Sequence, residues 1–359
     1  MSITICVQHP WHYRNWEPVL RHFDADEATI HVSPWRAHLP KDPTVHRAHL
    51  QSTLTWLEER GVTTTHGPWS VEPHVFATLA IEPRMVGQKW SKQVRMLYAV
   101  ISKQYTYSQL NRHYDSVLVA SEFGASLLAR HGVRTQVVGY PKLDPWFDGS
   151  LTRASARAAL GIPDDRTLIV YAPTFGPLCA HETFADALRE LDLDAEMIVQ
   201  LHPVSYLAEA RRFEHSLPEA RVMPPEEAGI HVVAAADALV TDYSGVTFEA
   251  CAMDVPVLLL EKPGVEPTED VERRYRDAGP RVFEPSELRA RLEELLASPQ
   301  RWAERRAFYR DEFYAHHGDA GRRAAEAFRQ LQAEARRARE HDVDQIYTRM
   351  RQLEIAAAR

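Results

Sequence analysis

Short, unbroken apolar runs recur along most of the chain, and stretches with helical spacing separate them. This pattern limits the fold more than any other feature. A strand with one wet face alternates apolar and polar residues, whereas a strand buried on both faces is apolar throughout. Strand and helix in regular succession build βα units and a parallel sheet. In the first half the runs predict strands near Ile3–Val7, Ala28–Val32, Val75–Ile81, Val94–Tyr98, Val117–Ala120 and Gln136–Val138. Helices fall near Trp16–Phe23, Arg47–Arg60 and Phe123–His131. In the second half strands are predicted near Thr167–Tyr171, Met197–Leu201, Ala238–Thr241 and Val255–Leu260, with helices between them.

A chain of 359 residues is too long for one ordinary core, so two domains are expected. The stretch Pro145–Ser150 is rich in Pro, Asp and Gly, and a helix over Arg153–Leu160 follows it. We therefore expect an N-terminal domain over 1–148, a second over 149–310, and a helical segment over 311–359 that packs back. The tail Arg322–Arg359 has no glycine or proline and abundant alanine, arginine and glutamate, which predicts one or two long solvated helices. The expected class is α/β, with two αβα domains facing each other.

The formal net charge of -8 argues against a nucleic-acid partner, which would call for a basic surface. Cys6, Cys179 and Cys251 stand far apart without metal-ligand spacing, so neither a disulfide scaffold nor a zinc site is expected. The first residues read as a strand rather than a signal peptide. No apolar run reaches the length of a membrane span. A cytoplasmic protein is expected, with any membrane contact made peripherally from the inner face.

Parallel sheets bind ligands beyond the carboxyl ends of their strands. In the second half those ends carry Thr174-Phe175-Gly176, His202-Pro203 and Thr241-Asp242-Tyr243-Ser244-Gly245. The last group runs into a helix predicted over Val246–Met253. It would present unpaired N–H groups and the positive end of the helix dipole to an anion. Gly245 lets a phosphate approach, Thr247 adds a hydroxyl, and Glu249 lies one turn into the helix, in reach of a ribose. The plainer reading is a helix cap at Asp242 or Ser244. His202, past an apolar strand, suits phosphate contact or proton transfer; the plainer reading there is a histidine satisfying local backbone.

Taken together, Gly139-Tyr140-Pro141-Lys142-Leu143-Asp144, Tyr171-Ala172-Pro173-Thr174-Phe175, Leu201-His202-Pro203 and Thr241 through Glu249 resemble the CDP-glycerol glycerophosphotransferase family of teichoic-acid and capsule enzymes. Gly318-Asp319-Ala320-Gly321-Arg322-Arg323 also looks like a late family segment, and the likeness covers roughly residues 90–325. The resemblance implies a GT-B fold, a nucleotide-activated polyol such as CDP-glycerol as donor, a glycan or lipid-linked acceptor, and no metal or other cofactor. The reaction it implies is attack of an acceptor hydroxyl on the phosphorus nearest the glycerol, with CMP leaving. It implies that Thr174, His202, Thr241, Asp242, Ser244, Gly245 and Thr247 line the donor cleft and that Glu249 holds the ribose.

One place departs from the family. Its polymerases carry a His-Gly pair after an N-terminal-domain strand, and that histidine is thought to be the base. Here Leu97-Tyr98-Ala99 occupies the position, and an ordinary tyrosine, with a pKa of about 10, is a poor base at neutral pH. His66-Gly67-Pro68 lies too far upstream. His9 and His12, in the loop expected after the first strand, are the substitutes, alongside a plain loop-packing reading. Lys103, Tyr105 and Tyr107 could face an acceptor phosphate. Two rivals stay open: a UDP-sugar-dependent GT-B glycosyltransferase or epimerase, and a nucleotide- or polymer-binding protein without catalysis.

Overall fold

The computed structural model describes residues 3–33, 42–67, 73–79, 91–100, 106–224, 226–265 and 277–357. Lys103, Tyr105 and Pro68 lie outside them. Two wholly parallel sheets organise the chain. The first contains β1 (Ile3–Val7), β2 (Ala28–Val32), β3 (Thr64–His66), β4 (Val75–Thr78), β5 (Lys92–Met96), β6 (Ser116–Val119) and β7 (Thr135–Val137), in the order β3-β2-β1-β4-β5-β6-β7. The second contains β8 (Thr167–Ala172), β9 (Ala195–Gln200), β10 (Arg221–Met223), β11 (Ala238–Thr241), β12 (Val257–Leu260) and β13 (Arg281–Val282), in the order β10-β9-β8-β11-β12-β13. Helices cover the sheets, which explains why ITICV, ALVT and VLLL are buried along their whole length.

The order reverses between β1 and β4 in the first sheet and between β8 and β11 in the second. At such a reversal the connections leave toward opposite faces, and a crevice opens at the carboxyl edge. The fold thus nominates two places: the loops after β1 and β4, and those after β8 and β11.

Two expectations need correction. The segment after β1 is not a loop. A helix spans Pro10–Leu20, with the His9 side chain as its N-cap and Pro10 in its first turn. Nor is the C-terminal tail solvated from its start. A single helix runs over Ala320–Ala357, and its first four turns enter the core of the first sheet. Ala324, Phe328 and Leu331 are fully buried there, with Phe328 against Trp16 at 5.9 Å. Asp144 accepts the first N–H groups of this helix, from Ala320 (3.1 Å) and Gly321 (2.6 Å). A side chain on Gly321 would run into the Pro18 carbonyl, so only glycine permits that approach. Arg329 then grips Glu27 with two bonds at 2.6 and 2.7 Å. Among the described residues, no helix is long and apolar enough to cross a membrane.

Candidate active site

The three strand ends singled out in the second half are neighbours, because β9, β8 and β11 are adjacent. Thr174 follows β8, His202 follows β9, and Tyr243-Ser244-Gly245 follows β11. Asp242 ties two of the loops together. Its carboxylate accepts the N–H of Thr174 at 2.7 Å and that of Ala180 at 2.9 Å, all within buried surroundings. The Thr241 hydroxyl donates to the Ala172 carbonyl at 2.7 Å and is fully buried. These two side chains hold the loops in register from inside.

Ser244, Gly245 and Val246 are half-buried at the mouth. Gly245 is the N-cap of the helix Val246–Ala252 and has an ordinary φ of -62°. A Cβ placed on it would meet nothing within 4 Å. Neither conformation nor packing demands glycine here; its lack of a side chain leaves open space at the helix start. Thr247 lies buried just behind.

Glu249 is engaged by a lysine. Both its oxygens accept from the Lys142 ammonium, at 2.7 and 2.8 Å, and both side chains are nearly buried. The Tyr140 hydroxyl sits between the Glu249 carboxylate (3.2 Å) and the Tyr98 carbonyl. Burial, reinforced by Glu249, pushes Tyr140 well above the usual tyrosine range, so it remains a donor. This network joins the turn after β7 to the second sheet's helix Val246–Ala252.

The opposite wall comes from the start of the Pro10–Leu20 helix. Trp11 lies edge-on to Tyr98 with ring centres 4.9 Å apart, and its ring centre is 6.5 Å from that of His202. Phe175 flanks His202 from the other side at 4.3 Å. The carboxyl edges of the two sheets therefore face one another, and Trp11, His202 and Phe175 span the gap. Below them Arg14, on the same helix face as Trp11, donates to the carbonyls of Glu226, Glu227 (3.3 Å) and Ala228 (2.8 Å).

The geometry also decides what His9 and His12 can do. His9 Nδ1 accepts the Trp11 N–H at 3.1 Å, and His12 Nδ1 accepts the Gln8 N–H at 3.3 Å. With Nδ1 so engaged, a neutral ring carries its proton on Nε2. Burial, and then the stacked His49 5.3 Å away, lower His9 to about 3. His9 is therefore neutral near pH 7 and a weak proton acceptor there. In a neutral ring of either residue Nε2 is then the donor atom. Tyr98 is raised above its ordinary range by burial and is a worse base still. Among the described residues no cluster of His, Cys, Asp or Glu is arranged to hold a metal ion.

Sequence reasoning placed His202, Thr174, Ser244 and Gly245 around one crevice and His9 and His12 near it. It missed Arg14, Lys142 and Tyr140 as partners. The GYPKLD stretch was visible as a motif, but nothing in it announces a pairing with a residue 107 positions later.

Residues 91–328 match the family profile described as CDP-Glycerol:Poly(glycerophosphate) glycerophosphotransferase. A teichoic acid glycerol-phosphate primase of Bacillus spizizenii is 25% identical over 166 residues, which cover 40% of this chain and 39% of that protein. The match thus spans well under half of that relative's length. Among solved structures, the wall teichoic acid polymerase TagF in a variant soaked with CDPG superposes with a TM-score of 0.64 at 14% identity, covering 92% of this chain and 89% of that one. Another structure of TagF gives 0.62 at 13% identity, with the same two coverages. At that identity the likeness bears on the fold, which is of the GT-B type.

Proposed function

The chain belongs to the CDP-glycerol:poly(glycerophosphate) glycerophosphotransferase family, and from that premise we propose that it moves glycerol phosphate, or a similar polyol phosphate, from a CDP-activated donor to a hydroxyl of a glycan or lipid-linked acceptor. The observation that carries the reading is the crevice itself. The open space in front of Gly245, the Thr174 loop and the His202 ring lie at the ends of three adjacent strands around the second sheet's reversal point, with Trp11 packed near His202 from the other side.

In this reading the donor pyrophosphate rests on the Ser244 and Gly245 amides, with Thr174, His202 and Thr247 beside it. The acceptor oxygen forms a bond to the phosphorus that carries glycerol. The bond from that phosphorus to the bridging oxygen breaks, and CMP leaves with the electron pair. The hydroxyl proton is released to a cleft base or to water. Phosphoryl transfer through a loose transition state asks little of a base and much of donors aimed at the equatorial oxygens. His9 and His12, with Nε2 protonated, suit the donor role. In this reading His202, half-buried near Trp11 and Phe175, exchanges the proton. Asp242, Thr241 and the Lys142–Glu249 pair act on the donor through the loops they hold. Lipid-linked acceptors would be met peripherally, from the cytoplasmic face. For the chain's organisation we propose a division at 1–148, 149–310 and 311–359.

The direct test is incubation with CDP-glycerol and candidate acceptors, reading CMP release. We expect His202→Ala to lower that release by at least about a hundredfold, the scale typical of a lost acid–base or phosphate-contacting group. Turnover with UDP-sugars alone would reject the reading. The half-buried Tyr98 in place of a histidine favours a second reading, a donor-binding protein without turnover. Calorimetric binding of CDP-glycerol with no CMP release from any acceptor would select it.

A further inference from the structure

Arg14 bonds across the gap between the two sheets without touching the donor turn. Its Nη1 donates to the carbonyls of Ala228 at 2.8 Å and Glu227 at 3.3 Å, and its Nη2 donates to the carbonyl of Glu226. Three successive carbonyls of one turn thus share one guanidinium, a planar fork that holds its acceptors in a fixed arrangement. The fit is prepared from the other side as well. Gly229, next in the chain, is buried, and its φ of 178° is extended backbone open to any residue. A Cβ there would sit 2.8 Å from Arg14 Nη1 and 3.1 Å from His231 Nδ1. Conformation does not ask for glycine at this position; room for the guanidinium does.

What this clamp joins gives it a use. On the near side, Arg14 lies one turn along from Trp11 on the helix Pro10–Leu20. That helix is tied to the first sheet, because Trp16 is fully buried against Phe328 and His12 Nδ1 accepts the Gln8 N–H just past β1. On the far side, the 226–228 turn runs into the helix Ile230–Ala235, whose apolar residues are all buried. It continues into β11, whose end carries Tyr243-Ser244-Gly245. Two packed elements therefore meet at one side chain. One presents Trp11 and His12, and the other leads to the donor turn. The donor loops are braced separately, within the second half, by Asp242.

We propose that Arg14 is a positioning residue for the transfer step: by holding the 226–228 turn it sets the spacing between the Trp11–His12 end of its helix and the donor turn. This rests on the glycerophosphate-transfer reading of the crevice. Arg14 acts on the geometry of acceptor attack and leaves donor binding to the second half. A bond-forming step is sensitive to such spacing, since a misplacement of about 1 Å can cost about a hundredfold in rate.

The test sets turnover, donor binding and the distance between the two halves side by side in the full chain. Arg14→Ala should lower kcat for CMP release by about a hundredfold, while calorimetry finds CDP-glycerol affinity changed by less than about threefold. Arg14→Lys keeps the charge but replaces the fork with one ammonium, so it should recover only part of the loss. Gly229→Ala attacks the clamp from the other side and should give the same split; combined with Arg14→Ala it should add nothing. Free guanidinium at millimolar concentration should not rescue Arg14→Ala, because a tether must be bonded to the helix it holds. Distance is read without substrate, from nitroxide labels at Gln51→Cys and Arg211→Cys in a Cys179→Ser background. Both positions are exposed, on the helices Pro43–Glu58 and Pro203–Ser216. A narrow distance distribution is expected for the parent and a broader, longer one for Arg14→Ala, with circular dichroism checking that each variant is folded. An unchanged distribution in Arg14→Ala overturns the proposal. So does rescue by guanidinium, and so does a loss of donor affinity as large as the loss of kcat. A parent chain that releases no CMP rejects the transfer reading instead, and the label distances still decide whether Arg14 sets the spacing.

Discussion

Replacing Asp242 separates two jobs that the sequence runs together, holding the donor loops and touching the donor. Its carboxylate is the acceptor for two buried amides, Thr174 N–H at 2.7 Å and Ala180 N–H at 2.9 Å. Leaving a buried donor unsatisfied costs about 1–3 kcal/mol. Asp242→Ala strands both, so a loss of about 2–4 kcal/mol is expected once water and local relaxation have eased part of the cost. Asp242→Asn keeps one oxygen and turns an NH2 toward the other amide, so about 1–3 kcal/mol should go. Urea unfolding followed by tryptophan fluorescence measures this, taken from the first transition because two domains need not melt together. Because the Thr174 loop is tethered by that carboxylate, CDP-glycerol affinity should fall by about tenfold or more in the same variants, read by calorimetry. Ser244→Ala is the control: at a half-buried position it should cost affinity while moving stability by less than about 0.5 kcal/mol. Asp242→Asn with parental stability would refute the brace. A destabilised Asp242→Asn that binds CDP-glycerol as tightly as the parent would refute the link from brace to donor loop.

The Lys142–Glu249 pair should behave as a buried ion pair. Lys142→Met leaves a nearly buried carboxylate alone and is expected to cost about 3–5 kcal/mol, while Lys142→Met/Glu249→Leu should cost less than that single change; a urea double-mutant cycle reads both. Acid should destabilise the protein through its buried histidines. His9 is held at about 3, and His181 and His231 at about 4, each lowered from 6.5 mainly by burial. For a base with a depressed folded pKa, stability is complete above 6.5 and is lost as pH falls through that window, because the unfolded chain binds the proton first. Asp144, raised by burial from 3.8 to about 6, works in the opposite sense and recovers stability over the same fall. From these four groups alone, near pH 5, roughly two protons are taken up on unfolding, and roughly three in Asp144→Asn. Urea midpoints measured from pH 4.5 to 7 should show that slope, and a flat profile between 5 and 6.5 would count against it.

Much of the second half was legible because its strands are buried on both faces and say so. The bounds Ala238–Thr241 and Arg153–Leu160 coincide with the observed elements. The strands that escaped, Thr64–His66, Arg221–Met223 and Arg281–Val282, are short, partly polar and at or near sheet edges, where burial no longer imposes a pattern. The Pro10–Leu20 helix was hidden by its own start. Proline reads as a breaker unless it is recognised as a first-turn residue, and histidine is not among the usual caps. The buried face of the C-terminal helix was written in alanines, Ala320, Ala324, Ala327 and Ala335, at helical spacing around Phe328 and Leu331. Its surrounding charges drew attention to solvent instead. At the site, the loop contents could be read, but the contacts that cross between the sheets could not, since Arg14 meets residues 212 to 214 positions away.

The return of the C-terminal helix to the first sheet has a mechanical consequence. The chain passes between the two halves twice, once after Gly139 and once before Ala320, and the two passages touch. Gly139, at φ +92°, leaves so little room that a Cβ would sit 2.5 Å from the Ala315 carbonyl. Two tethers side by side at one edge leave little freedom to slide or twist, and what remains is a swing about that edge, as a book opens on its spine. Arg14, bonded to the carbonyls of Glu226, Glu227 and Ala228 across the gap, would have to let go before such a swing could open the crevice.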